Sequence, residues 1–160
     1  MIYESKGDFL RQLNKLKSFK ILGIDFGEKK SGLALYNSEV NVAIPLVVIK
    51  EIRKNLNSLL KCTQDKGING MIIGLPLQLD GSTTENTQNI VEFAKMLDAK
   101  TKLPIILSDE RFTTALANTL LKETNLKRKK RNQVDDAVAA SILLENFFLL
   151  RCNESQRSYQ

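Results

Sequence analysis

The chain has 160 residues, of which 42% are hydrophobic, a net charge of +6 and no histidine. This supports one soluble domain with a real core rather than two, and the missing imidazole excludes Ser-His triads, Cys-His dyads and zinc sites with His ligands. Two cysteines, Cys62 and Cys152, without CxxC spacing exclude a disulfide scaffold and a zinc ribbon and fit a reducing cytoplasm, while the positive balance favours a polyanionic partner without proving one.

Residues 1–19 carry Glu4, Lys6, Asp8, Arg11, Lys15 and Lys17, too many charges for a secretory signal, and no stretch of the chain is long and uncharged enough to span a bilayer. Phe9, Leu10, Leu13 and Leu16 recur at helical spacing, so this segment is expected to be an amphipathic helical extension laid against the domain. Lys20 to Phe26 reads as a buried strand and Gly32 to Tyr36 as its antiparallel neighbour. The polar turn Gly27-Glu-Lys-Lys-Ser31 joins them, and Gly27 and Gly32 suit a tight hairpin. Val40 to Ile49 is a third, antiparallel strand; Ile52, Leu56, Leu59 and Leu60 then mark a helix to about Asp65, ended by Lys66-Gly67.

Gly70 to Gly74 is a short, wholly apolar strand of the kind buried on both faces in a parallel sheet, and Pro76 stops it. Ser82-Thr-Thr-Glu85 fits a capping box for a helix whose apolar stripe is Ile90, Phe93, Ala94 and Leu97. Leu103 to Leu107 is a fifth strand. Thr113 or Thr114 can cap a helix with Leu116, Ala117, Leu120 and Leu121 on its core face, and a last helix runs from Val134 to about Leu150. The order predicts an α/β fold over residues 20–150, a mixed five-stranded sheet with three antiparallel strands followed by two parallel ones, flanked by helices, and a polar tail over 151–160.

Three acidic residues stand where apolar elements begin or end: Asp25, Glu110 and Asp136. Helical spacing from Asp136 to Ala139, Ala140 and Leu143 places that aspartate on the packing face of the last helix, where an unpaired charge is costly. A divalent metal shared with Asp25 and Glu110 would remove the cost. The neighbouring Asp135 fits a helix cap, and counting back from Ile142-Leu-Leu-Glu145 selects Asp136 for the site.

Four segments stand out in order: Leu22-Gly-Ile-Asp-Phe-Gly-Glu-Lys-Lys-Ser-Gly-Leu-Ala34, then Ala43-Ile-Pro-Leu46, then Ile73-Gly-Leu-Pro-Leu-Gln-Leu-Asp-Gly81, and finally Asp109-Glu-Arg-Phe-Thr-Thr114 with Asp136, Ala139 and Ala140. Together, and in that order, they resemble the YqgF/RuvX family of Holliday-junction-resolvase-like, ribonuclease H-fold nucleases. The likeness spans about Lys20 to Phe148 and leaves the first 19 residues outside it. It implies a ribonuclease H-like fold in which Asp25, Glu110 and Asp136 ligate Mg²⁺ or Mn²⁺ and catalyse two-metal phosphodiester hydrolysis without a histidine base. It further implies a cytoplasmic hydrolase processing the 5′ end of the precursor of 16S ribosomal RNA.

Lys29 and Lys30 on the turn, Arg111 beside Glu110, and the basic run Lys127, Arg128, Lys129, Lys130 and Arg131 before the last helix are candidate phosphate contacts, though each also fits a solvated or bracing role. Two other readings use the same residues: a Holliday junction resolvase acting on branched DNA as a homodimer, and a non-catalytic nucleic-acid-binding module in ribosome assembly or transcription. Asp25-Phe-Gly27 also resembles the phosphate turn of actin-like ATPases, but those close two domains around the nucleotide and this chain has material for one.

Overall fold

Alternation along the strands sorts the core onto the two sides of a single sheet. The computed structural model describes residues 1–75, 85–109 and 136–148. In chain order these form β1 (Ile2–Tyr3), α1 (Lys6–Leu13), β2 (Lys20–Asp25), β3 (Lys30–Asn37), β4 (Val42–Lys50), α2 (Leu56–Asp65), β5 (Gly70–Leu75), α3 (Glu85–Thr101) and β6 (Ile105–Asp109), followed by α4 (136–148). The strands make one sheet in the order β1-β6-β5-β2-β3-β4. β2, β3 and β4 are antiparallel neighbours, whereas β2, β5, β6 and β1 run parallel.

Ile21, Ala34, Tyr36, Ile72 and Ile106 project to the side covered by α1 and α4, where they meet Phe9, Leu13, Ala140, Leu144 and Phe147. Leu22, Ile24, Leu33, Met71, Ile73 and Ile105 project to the other side, under Leu59 of α2 and Ile90, Phe93, Ala94 and Leu97 of α3. Because β2 and β5 are covered on both faces, their sequences are nearly continuous apolar runs, as buried parallel strands require. The stripe expected on α3 is fully buried at all four positions.

Among the described residues the sheet has six strands rather than the expected five. The extra one comes from the N-terminal segment: Ile2 and Tyr3 pair in parallel with Ile105 and Ile106, and the Ile105 amide donates to the Met1 carbonyl. The segment is therefore both strand and helix. Ser5 caps α1 by accepting from the Asp8 amide, Phe9 and Leu13 are buried, and Leu16, the last member of the expected stripe, is exposed beyond the helix end. The Lys6 ammonium ties α1 to α4, donating to the Phe147 carbonyl at 2.6 Å and lying 4.6 Å from the centre of its ring.

β3 begins at Lys30, two residues before the expected start, because Lys30 and Ser31 pair with Lys50 and Ile49 of β4. β4 is an edge strand containing Pro45, and a register shift opposite Leu33 and Ala34 leaves Leu46 as an extra residue beside that proline. Ile52 is buried but sits in the turn before α2 rather than in it. The proposed Ser82 cap, the helix bearing Leu116 to Leu121 and the C-terminal tail lie outside the described residues. Among the described residues, no helix is long and apolar enough to cross a membrane.

Candidate active site

Asp25 is the last residue of β2, at the end of the sheet where the parallel strands present their carboxyl termini, the usual position of sites in open α/β sheets. It pairs across the ladder with Gly32 of β3. Directly opposed residues of an antiparallel pair project to one face, so Asp25 shares its side of the sheet with Gly32, Gly23 and Ala34, beneath α4.

That side is lined with small residues, and the helix descends into the space they leave. A Cβ placed on Gly32 would stand 1.9 Å from the Asp136 carbonyl oxygen, and one on Gly23 would stand 2.6 Å from Cγ of Leu144 and 3.0 Å from the Ala140 carbonyl oxygen. Gly32 is thus a close-approach residue within a strand rather than a turn residue; among the described glycines, the one with positive φ is Gly67, after α2. The main chain of Asp136 rests on Gly32, and Gly32 lies about 5 Å, one cross-strand pair, from Asp25. Two aspartates separated by 111 positions in sequence are brought to the same corner of the fold.

Lys30 completes this corner. Its Nζ lies 3.5 Å from Asp136 Oδ2, and the two side chains are 39% and 24% exposed. The Asp136 Oδ2 atom is itself buried. The turn that presents Lys30 is held by Ser31, which is fully buried. Its hydroxyl accepts from the Gly27 amide at 3.1 Å and donates to the Gly27 carbonyl at 3.2 Å. The Lys29 carbonyl accepts from the Glu51 amide at 2.8 Å, while the Lys29 side chain stays in solvent.

Behind the turn, on the α3 side, a cavity of about 260 Å³ is lined by Phe26, Glu28, Glu51, Ile52, Arg53, Lys54 and Asn89. Its polar groups are paired with one another. Arg53 donates to the Asn89 carbonyl, Asn89 to Glu28 and Lys54 to Glu51, so the cavity wall braces the turn from the rear.

Of the residues singled out in the sequence, the structure pairs Lys30 with Asp136, seats the Asp136 main chain on Gly32, the cross-strand partner of Asp25, and leaves Lys29 on the exposed tip. Glu110, Arg111, Lys127, Arg128, Lys129, Lys130, Arg131 and Asp135 lie outside the described residues. In the sequence Glu110 directly follows Asp109, the last residue of β6. Among the described residues, no three acidic, Cys or His side chains gather as a complete metal cage. The two described acidic residues at this corner, Asp25 and Asp136, offer carboxylate oxygens, which suit a hard divalent cation and not a thiophilic one. Gly23 and Ser31 had not been expected to matter. The signal for Gly23 was its place two residues from Asp25, on the same strand face.

The family model for RuvX, a Holliday junction resolvase, matches residues 19–149. A relative from Rickettsia africae (strain ESF-5), named "Putative pre-16S rRNA nuclease", is 45% identical over 147 residues, covering 91% of this chain and 94% of its own. One of the same name from Orientia tsutsugamushi (strain Ikeda) is 44% identical over 160 residues and covers 99% of each. Among solved structures, Thermus thermophilus RuvC in complex with a Holliday junction substrate superposes with a TM-score of 0.54 at 15% identity, over 83% of this chain and 96% of that one. The yeast mitochondrial Holliday junction resolvase Ydc2 gives 0.51 at 14%, over 99% and 92%. These likenesses identify the architecture as ribonuclease H-like.

Proposed function

The chain belongs to the RuvX family, and from that premise we propose that it is a metal-dependent nuclease acting on the precursor of 16S ribosomal RNA. The observation that supports the reading is the contact of Gly32 with the main chain of Asp136, which brings a second acidic residue to the cross-strand partner of Asp25 at the carboxyl edge of the sheet. Asp25 and Asp136, with Glu110 as the third ligand, would hold Mg²⁺ or Mn²⁺. Bound there, such ions supply an activated water and stabilise the leaving oxygen in phosphodiester hydrolysis.

The chain's own residues supply position and charge. Asp25 is fixed by the central strand, and Asp136 by a helix seated on glycine. Lys29, on the exposed turn, is placed to meet a backbone phosphate, and the basic run Lys127 to Arg131 with Arg111 would extend that electrostatic footprint. Such contacts attract nucleic acid without reading bases, so substrate choice rests on shape and on where the strand enters the site. We place the protein in the cytoplasm, where ribosomal precursors are processed.

Ribosomal RNA is preferred over branched DNA because the relatives bearing the rRNA nuclease name match almost the whole chain at 44–45% identity, whereas the junction-bound structure matches at 15%. The family description favours the junction as the second reading, which requires a homodimer with two sites. The test is incubation of the purified protein with labelled precursor 16S RNA and with a four-way DNA junction, each in Mn²⁺, Mg²⁺ or EDTA. Metal-dependent cutting of the RNA alone is expected. Cutting of the junction alone would transfer the assignment to resolution, and salt-sensitive binding without cutting of either would leave a binding module.

A further inference from the structure

Resting on the nuclease reading, we propose that Lys30 is a positioning residue, the built-in counter-cation of Asp136, which a divalent ion must displace when it binds. Four observations lead there. The ammonium lies 3.5 Å from Asp136 Oδ2, a buried atom, so the charge sits at an oxygen that a metal would use. Lys30 is the first residue of β3, and its backbone position is fixed by pairing with Lys50 and by the Ser31 staple at the neighbouring residue. Its side chain is 39% exposed, so it can leave Asp136 without being stranded in the core. The small-residue contact at Gly32 fixes Asp136 by its main chain, so the carboxylate keeps its place when the ammonium departs.

The consequence is competition. A monovalent ammonium and a divalent ion beside the same carboxylate repel each other, so metal entry and departure of Lys30 are one event. Lysine suits this role, because its charge is compact, carried on a flexible stem and free to rotate to a new acceptor. On the nuclease reading, its new acceptor would be a phosphate oxygen of the substrate. Metal binding would thereby release a cation toward the substrate. A mere brace for the hairpin would stabilise the fold equally with and without metal.

The experiment compares the full chain with its Lys30→Met and Lys30→Arg variants, without nucleic acid, by Mn²⁺ titration followed by electron paramagnetic resonance and by thermal unfolding with and without Mn²⁺. Lys30→Met should bind Mn²⁺ tighter by up to about fivefold, the factor expected from removing one partly exposed charge pair. It should also melt earlier than wild type in EDTA and gain more from added Mn²⁺. Lys30→Arg should stay near wild type on all three. Mn²⁺ binding to wild type that is unchanged or weakened in Lys30→Met would overturn the counter-cation role while leaving the nuclease reading intact. Absence of Mn²⁺ binding to every form, together with metal-independent behaviour of wild type, would overturn both.

Discussion

Gly32 and Asp136 touch through their main chains: the Asp136 carbonyl oxygen occupies the place where any side chain at position 32 would begin, 1.9 Å from an ideal Cβ. The contact is backbone against backbone, so no rotamer change can relieve it. Gly32→Ala must push β3 and α4 apart at the point where Asp136 is held near Asp25. We expect a loss of about 3 kcal/mol or more, beyond the usual range for one added methyl group in a core, because no side chain can absorb the clash. Urea denaturation measures the cost. A variant as stable as wild type would mean that α4 does not sit on β3.

Gly23→Ala meets the same helix further along but on softer terms. Its Cβ would lie 2.6 Å from Cγ of Leu144 and 3.0 Å from the Ala140 carbonyl oxygen. A leucine side chain can shift where a carbonyl cannot. The expected loss is about 1–3 kcal/mol, smaller than at position 32. Parallel urea titrations of the two variants check the order, and a reversal would contradict the assignment of Gly32 as the tighter contact.

The N-terminal segment behaves as part of the core in the structure. Phe9 and Leu13 are at most 1% exposed. Phe9 packs edge-on against Phe147 with ring centres 5.9 Å apart, and β1 covers the outer edge of β6. Phe9→Ala should therefore cost about 3–5 kcal/mol, as for other fully buried phenylalanines. Deleting residues 1–18 would in addition uncover Phe147 and a bare strand edge, and should give a chain that aggregates on expression. Recovery of a monodisperse, cooperatively melting truncated protein would show the segment to be dispensable.

The parts of this architecture that could be read in the sequence are those with an apolar run or a period. The apolar runs of β2, β3 and β5 and the stripe Ile90, Phe93, Ala94, Leu97 each follow from burial. β1 was not legible, because two residues carry no period and Ile2 pairs only by virtue of β6 arriving beside it from more than 100 positions away. Asp25 and Asp136 were visible as carboxylates at element ends. What joins them was not: a glycine's role in strand packing is set by the helix above it, and nothing in Ser31-Gly32-Leu33 distinguishes a turn glycine from one that yields its side-chain space to Asp136. The pairing of Lys30 with Asp136 is equally a product of that contact, which turns a residue expected at a solvated tip into a partner of the site.

Cys62 provides a test of burial on the opposite face. Burial raises its thiol pKa above the ordinary value; the Lys66 charge partly offsets this and the Asp65 charge adds to it. The folded state thus holds the thiol proton more tightly than the unfolded chain. The associated stability is present below the unfolded thiol's pKa and is lost as pH rises through the higher folded value. In a Cys152→Ser background, iodoacetamide should modify Cys62 more slowly at pH ~7.5 in the native protein than in the urea-unfolded chain. The native rate should also climb at higher pH than the unfolded one. Equal rates in the two states would contradict the burial of this side of α2.

The two described carboxylates should separate function from folding. Asp25→Asn and Asp136→Asn each preserve shape and remove one charge from partly buried positions, so the change in stability should be within about 1 kcal/mol. Their effect on cleavage should be far larger. A metal ion acting as Lewis acid supplies several kcal/mol of transition-state stabilisation, and each ~1.4 kcal/mol is tenfold in rate, so loss of a ligand should slow cleavage by about a hundredfold or more. For Asp136→Asn a second effect follows from Lys30, since the ammonium loses its charged partner at 3.5 Å. A double-mutant cycle between Lys30→Met and Asp136→Asn, measured by urea denaturation in EDTA, should give a coupling of about 1 kcal/mol or less, because both side chains remain partly in solvent. Full cleavage activity in either folded Asn variant would remove that carboxylate from the site, and zero coupling in the cycle would remove the ion pair.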